Sequence, residues 1–253
     1  MKRLTFAFGS LAALLLLPSG SLATTTYTFV GTTPDTSVDF SFQADLTISG
    51  DNLTIVLSNN SVDLSPACTT CNPNDLLTSF YFEIIDGSNN RPTLTYASAS
   101  GDVYLADKDN ADTLQTAGAD LAAFVNGDDT WAFISGSTLQ FGSDVLSFGI
   151  GTAGNSTLSP NGFNGSIVNG LDYGIYAGDI TGNNLDGQLL VKGPATFNFT
   201  GLTGFTEADL SAEALFGLGT KPDSTAFVPE PGTGLLLGAG LVGLAWGGRR
   251  RRK

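Results

Sequence analysis

Residues 38–48 read Val38-Asp39-Phe40-Ser41-Phe42-Gln43-Ala44-Asp45-Leu46-Thr47-Ile48, an unbroken alternation of apolar and polar side chains. Alternation at period two puts every apolar group on one face of an extended chain, which predicts a strand with one face buried. Gly50-Asp51-Asn52 follows with turn chemistry, and Leu53-Thr54-Ile55-Val56-Leu57 returns with strand character, so the whole segment predicts a hairpin. Leu76 to Ile85 predicts a further strand with Phe80, Phe82 and Ile84 on one face and Glu83 on the other. Shorter runs of the same kind fall at 94–97, 103–105, 131–134, 145–150, 173–176, 189–191 and 195–199, with Gly, Asn and Asp between them. The expectation is an all-β body, an antiparallel, jelly-roll-like β-sandwich. One helix is expected inside it: Leu114, Ala117, Leu121, Ala122, Phe124 and Val125 roughly follow helical spacing over residues 112–125. Thr206 to Asp209 could cap a second short helix, or residues 206–216 could be a strand.

Working outward, both ends depart from this pattern. Met1-Lys2-Arg3 precedes an apolar stretch from Leu4 to Leu17, and Pro18-Ser19-Gly20-Ser21-Leu22-Ala23 follows. A cationic start, an apolar middle and a small-x-small ending form a secretory signal peptide over residues 1–23, which predicts cleavage by signal peptidase between Ala23 and Thr24 after export through the Sec translocon. At the other end, Val228-Pro229-Glu230-Pro231 precedes residues 232–248, which hold no charge over 17 positions. At ~1.5 Å per residue that stretch is just long enough for a transmembrane helix. Arg249, Arg250, Arg251, Arg252 and Lys253 then form a basic tail. Positive charge stays on the cytoplasmic side, so the body is expected outside, as the signal peptide independently requires. The domain plan is therefore a signal peptide at 1–23, an ectodomain at 24–216, a linker at 217–227 and a terminal segment at 228–253.

The order of Pro229-Glu230-Pro231, a Gly- and Leu-rich span and an Arg cluster resembles the PEP-CTERM sorting signal of bacterial surface proteins. The resemblance covers only about the last 25 residues, but its arrangement is specific. It implies an exosortase as partner, a membrane protease that cuts near Pro-Glu-Pro and passes the body to the cell surface or extracellular matrix. It also implies a Gram-negative type of envelope and a species that makes exopolysaccharide or biofilm. The tail's physics agrees. The two prolines interrupt any helix and favour extended backbone at the membrane face. Seven glycines within the span weaken its helix, which suits a transient inner-membrane anchor. A permanent single-span anchor is the competing reading.

Composition narrows the chemistry. The chain has no histidine, so Ser-His-Asp and Cys-His catalysis and His-ligated metal sites are all excluded. All 24 acidic residues lie between Asp35 and Glu230, whereas only Arg91, Lys108, Lys192 and Lys221 are basic there, for a net charge of about −20. Such a field repels phosphate backbones, so no nucleic-acid partner is expected. Cys68 and Cys71 are spaced for a local disulfide in an exported chain, with a redox motif as the alternative. Asp107, Asp109 and Asp112 place oxygens at calcium-loop spacing, although Ala111 and Asp112 stand where an EF-hand wants an oxygen and a glycine. Trp131 is the best sequence candidate for an exposed sugar-stacking ring, with core packing as the alternative. Carboxylate-pair hydrolysis needs no histidine, but only Glu83, Glu207 and Glu213 supply glutamates in the body, and no pairing is indicated. The expectation is a non-enzymatic surface or matrix protein with no cofactor, acting within envelope or biofilm. The alternative is a calcium-dependent carbohydrate-binding module or adhesin that engages exopolysaccharide.

Overall fold

The computed structural model describes residues 23–32, 39–61, 76–107, 109–121, 131–141, 144–152, 173–178, 185–219 and 225–228. The signal peptide through Leu22, Cys68, Cys71, Lys108 and everything from Pro229 onward lie outside them.

Twelve strands form among the described residues: β1 (Thr25–Thr32), β2 (Asp39–Ser49), β3 (Asn52–Asn59), β4 (Leu77–Ile84), β5 (Thr95–Leu105), β6 (Thr113–Asp120), β7 (Ala132–Phe141), β8 (Asp144–Gly151), β9 (Ile175–Tyr176), β10 (Leu189–Thr200), β11 (Leu210–Leu218) and β12 (Thr225–Val228). The predicted hairpin is present as β2 and β3. Ser49 pairs with Asn52 across the two-residue loop Gly50-Asp51, where Gly50 takes φ +61°, a left-handed conformation that costs glycine little. The alternation buries Phe42, Ala44, Leu46 and Ile48 from β2, and Leu53, Ile55 and Leu57 from β3. The hairpin tip is tied down as well. The Asp51 carboxylate accepts the Thr203 backbone N–H at 3.0 Å and its hydroxyl at 2.7 Å, and the Thr203 bond holds the carboxyl's pKa below the ordinary aspartate value.

The strands form two ladders. One runs β1-β2-β3-β10-β5-β6 and the other β12-β11-β4-β8-β7. The two-residue β9 joins them into a continuous twelve-stranded sheet, parallel to β10 and antiparallel to β4. Every other pairing among the described strands is antiparallel, so the sheet is mixed only at β9. Aromatic rings pack between the ladders: Tyr27 on Phe80 (centroids 6.0 Å apart), Phe42 on Phe216 (6.1 Å) and Phe133 on Phe199 (4.6 Å). That interlayer is the core. The connectivity differs from a jelly-roll-like path, because β1-β2-β3, β5-β6, β7-β8 and β11-β12 are sequence neighbours paired within one ladder.

The expected helix at 112–125 is corrected over residues 112–121, and residues 122–125 lie outside the described residues. Residues 113–120 form β6, paired with β5 and exposed along almost its whole length. Thr113, Thr116, Gly118 and Asp120 are weak helix formers, and β5 offers a row of backbone partners that a helix could not satisfy. Among the described residues no α-helix occurs. Thr206 does begin a helical turn, a single 3₁₀ turn at Glu207–Asp209, and the chain then enters β11.

Candidate functional site

The site on which the sequence places most weight is the pair of processing points flanking the body. Ala23 and Thr24 are exposed, and the Thr24 hydroxyl lies 2.9 Å from that of Thr47. β1 begins at the next residue, so the expected signal-peptidase cut falls flush with the first strand. Tyr27 is fully buried, and its hydroxyl donates to the Ser211 carbonyl near the start of β11. Burial raises the Tyr27 pKa far above the ordinary tyrosine value.

The C-terminal side is equally tight. The Asp209 carboxylate accepts from the Thr206 backbone N–H at 2.8 Å and from its hydroxyl at 3.0 Å, which sets the turn that launches β11. Thr78 donates from its hydroxyl to the Gly219 carbonyl at 2.7 Å, and the Gly219 N–H donates to the Leu76 carbonyl at 3.0 Å, fastening the strand's far end. β12 pairs antiparallel with β11, Thr225 opposite Gly217 and Val228 opposite Ala214, and it lies beside β1. The linker expected at 217–227 is therefore corrected at both ends. Gly217 and Leu218 belong to β11, and Thr225 to Phe227 belong to a strand whose last residue, Val228, opens the sorting motif. Only residues 220–224 of that stretch are undescribed.

β1 and β12 lie side by side and run in opposite directions. Tyr27 bonds to Ser211, while Phe29 sits opposite Phe42, which in turn packs on Phe216. Advancing along β1 thus corresponds to advancing along β11. β12 runs the opposite way, so its final residue points toward the end where β1 starts.

The aspartate run is engaged internally. Asp107 accepts the backbone N–H groups of Asp109 (2.9 Å) and Asn110 (3.1 Å) and the Asn110 side-chain amide (3.0 Å), closing a turn on itself. Asp112 accepts the Asp107 N–H at 3.0 Å and forms an ion pair with Lys192 at 2.6 Å, its carboxylate almost wholly buried. The Lys192 ammonium also sits 5.1 Å from the centre of the Tyr104 ring. Asp109 is exposed. Among the described residues no group of three or more Asp, Glu, Cys or His is placed to hold a metal ion.

Two other candidates sit in the interior. Trp131 is 2% exposed, packs on Phe197 at 5.0 Å, and donates its indole N–H to the Tyr173 carbonyl at 2.8 Å. It is a core residue and not an exposed stacking ring. Glu83 is buried and receives Arg91 at 3.0 and 3.3 Å and the Ser147 hydroxyl at 2.7 Å. Sequence reasoning placed Glu83 on the strand face opposite the phenylalanines but found neither of these partners. Arg91 follows it by eight residues and Ser147 comes from β8, a pairing no local pattern announces. Lys192 was missed in the same way, although being one of four cations in so acidic a body is a signal that a partner exists. Pro229, Glu230, Pro231, Arg249 to Arg252, Cys68 and Cys71 lie outside the described residues, as do residues 232–248. No described helix is long and apolar enough to cross a membrane.

Residues 227–252 match the PEP-CTERM protein-sorting motif, so the chain carries that motif at its C-terminus, and the match supports exosortase-dependent sorting. It covers the tail and touches the body only at Phe227 and Val228. No curated protein matches the chain. Among solved structures, the KRT10-binding region domain of the pneumococcal serine-rich repeat protein PsrP is similar at 13% identity, over 78% of this chain and 84% of that one, with a TM-score of 0.27. That likeness is too shallow to bear on fold or binding.

Proposed function

We propose that this is an exported, non-enzymatic surface or matrix protein, held at the inner membrane through residues 232–248 and then cut near Pro229-Glu230-Pro231 and released by an exosortase. The observation that carries this reading is the motif match at residues 227–252, which begins within the last described strand of a strongly acidic β body. The body contributes stability and solubility, and its role in envelope or biofilm is structural or by contact. The absence of histidine from the sequence fits a role without turnover. The decisive experiment is mass spectrometry of both mature ends in a cell that carries an exosortase. The expected result is an N-terminus at Thr24 and a C-terminus near residues 228–231. Replacing Pro229 and Pro231 by Ala should leave the uncut chain in the inner-membrane fraction, and normal release of that variant would overturn the sorting mechanism. Retention on a glycan array that EDTA abolishes would instead move the body's role to calcium-dependent sugar binding.

A further inference from the structure

The ion pair between Asp112 and Lys192 holds together two groups that can react with each other. Asp112 stands just before β6 and Lys192 lies in β10, on the other side of β5. The lysine nitrogen is 2.6 Å from Asp112 Oδ2, against 3.0 Å in the Arg91–Glu83 pair. The Asp112 side chain is 1% exposed and that of Lys192 17%, so both are held mostly away from water. The carboxylate is also aimed. Its Oδ1 accepts the Asp107 N–H at 3.0 Å, which leaves Oδ2 facing the lysine. The Tyr104 ring, its centre 5.1 Å from the lysine nitrogen, limits where that nitrogen can go.

A third carboxyl group stands beside the pair. Asp102 is directly opposite Lys192 in the β5–β10 ladder, so both side chains leave the same face of the sheet, with Cβ atoms about 5 Å apart. Asp102 is fixed by the Gly118 N–H at 2.7 Å, yet it is exposed and can exchange protons with water. An amine and a carboxyl held in contact react as if each were present at about 10⁵ M or more.

We propose that Lys192 and Asp112 condense into an isopeptide bond, a covalent tie between β10 and the entrance of β6. One proton passes from the ammonium to Oδ2 along their contact, leaving an amine and a carboxylic acid. The Nζ lone pair attacks Asp112 Cγ, the N–Cγ bond forms, and negative charge develops on Oδ1. The Asp107 N–H, already directed at Oδ1, stabilises that charge. Asp102 takes a proton from the nitrogen and delivers one to Oδ2. The Cγ–Oδ2 bond then breaks and Oδ2 leaves as water. An ammonium and a carboxylate become an amide and one water, so no oxidant, cofactor or activating group is consumed. The product carries neither charge, which ends the desolvation cost of a buried ion pair. The step needs only the folded body and is independent of how the tail is processed.

The test is mass spectrometry of the full-length chain made by cell-free synthesis, sampled over time, then denatured and digested with trypsin. The expected result is a product containing Asp112 and Lys192 that is lighter by the mass of one water, with no cleavage after Lys192 because its amine is acylated. Chymotrypsin should then release a branched peptide joining the two residues. Lys192→Arg keeps the cation and removes the nucleophile, so it should restore both the full mass and the tryptic cut. Asp102→Asn should slow bond formation at least ~10-fold. A native chain of full mass, cut normally after Lys192, would overturn the bond. A water loss confined to Asp186-Gly187 as a succinimide, with Lys192 still cut, would overturn it as well. Formation at the native rate in the Asp102 variant would overturn the role given to that carboxyl.

Discussion

β4 and β6 are both eight-residue strands, and they sit at opposite extremes of the molecule. Every residue of β4, Leu-Thr-Ser-Phe-Tyr-Phe-Glu-Ile, is buried, whereas seven of the eight positions of β6, Thr-Leu-Gln-Thr-Ala-Gly-Ala-Asp, are exposed. β4 lies between β8 and β11 and sends Phe80 and Phe82 into the interlayer. Its other face holds Tyr81 and Glu83, and Glu83 is compensated there by Arg91 and Ser147. Among the described strands β6 pairs only with β5, and it holds on by backbone bonds, by the Gly118 N–H donated to the Asp102 carboxylate at 2.7 Å, and by its two ends. Asp112 grips Lys192 just before it begins, and Leu121 is buried just after it stops. Strand identity therefore comes from packing in one case and from an unsatisfied neighbouring edge in the other.

The contrast can be broken by experiment. The largest effect should come from Phe80→Ala, which removes a ring that touches Tyr27, Phe82 and Phe216; it should cost about 3–5 kcal/mol in urea unfolding. A loss no larger than that of a β6 variant would abolish the distinction. Next, Asp112→Asn removes a buried negative charge 2.6 Å from the mostly buried Lys192 ammonium and should cost about 2–4 kcal/mol. Because this pair anchors the entrance of β6, hydrogen exchange should accelerate in residues 113–120 before it does in β4. A third test uses pH. Burial pushes the Tyr81 hydroxyl up to about 12, against an ordinary value near 10 in the unfolded chain. The unfolded state therefore loses its proton first as pH rises. The Tyr81 contribution should be constant below pH ~10 and fall by about 2 kcal/mol toward pH ~12, and Tyr81→Phe should remove that part of the slope. The smallest effect belongs to Leu114→Ala. Leu114 is 47% exposed on β6, and the change should shift stability by no more than about 0.5 kcal/mol, measured by the same urea titration.

The two strands also explain what could be read in advance. β2 and β3 were legible to within a residue or two because their alternation matches a one-sided burial that local sequence can encode. β4 was legible as a strand, but the burial of its second face depends on Arg91 and on Ser147 of β8, which no nearby residue reports. β6 was misread. Leu114, Ala117 and Leu121 carry a helical spacing, and the demand that overrides it, the open edge of β5, lies in another part of the chain. At the candidate site, the motif residues were legible because sorting signals act as linear order and charge. That Val228 is paired in a sheet was not, since its partner Ala214 belongs to a strand that sequence alone left undecided.

By itself the sequence determined the class of the body, the absence of imidazole chemistry, the acidic field and the sorting tail, all of them properties of composition, periodicity or linear order. Tertiary structure alone decided that Trp131 is core, that residues 113–120 form a strand, that Asp112 belongs to Lys192, and that Val228 is paired with Ala214. Those outcomes depend on which distant groups come within about 3 Å of one another, because backbone donors and buried charges must find partners wherever the fold supplies them.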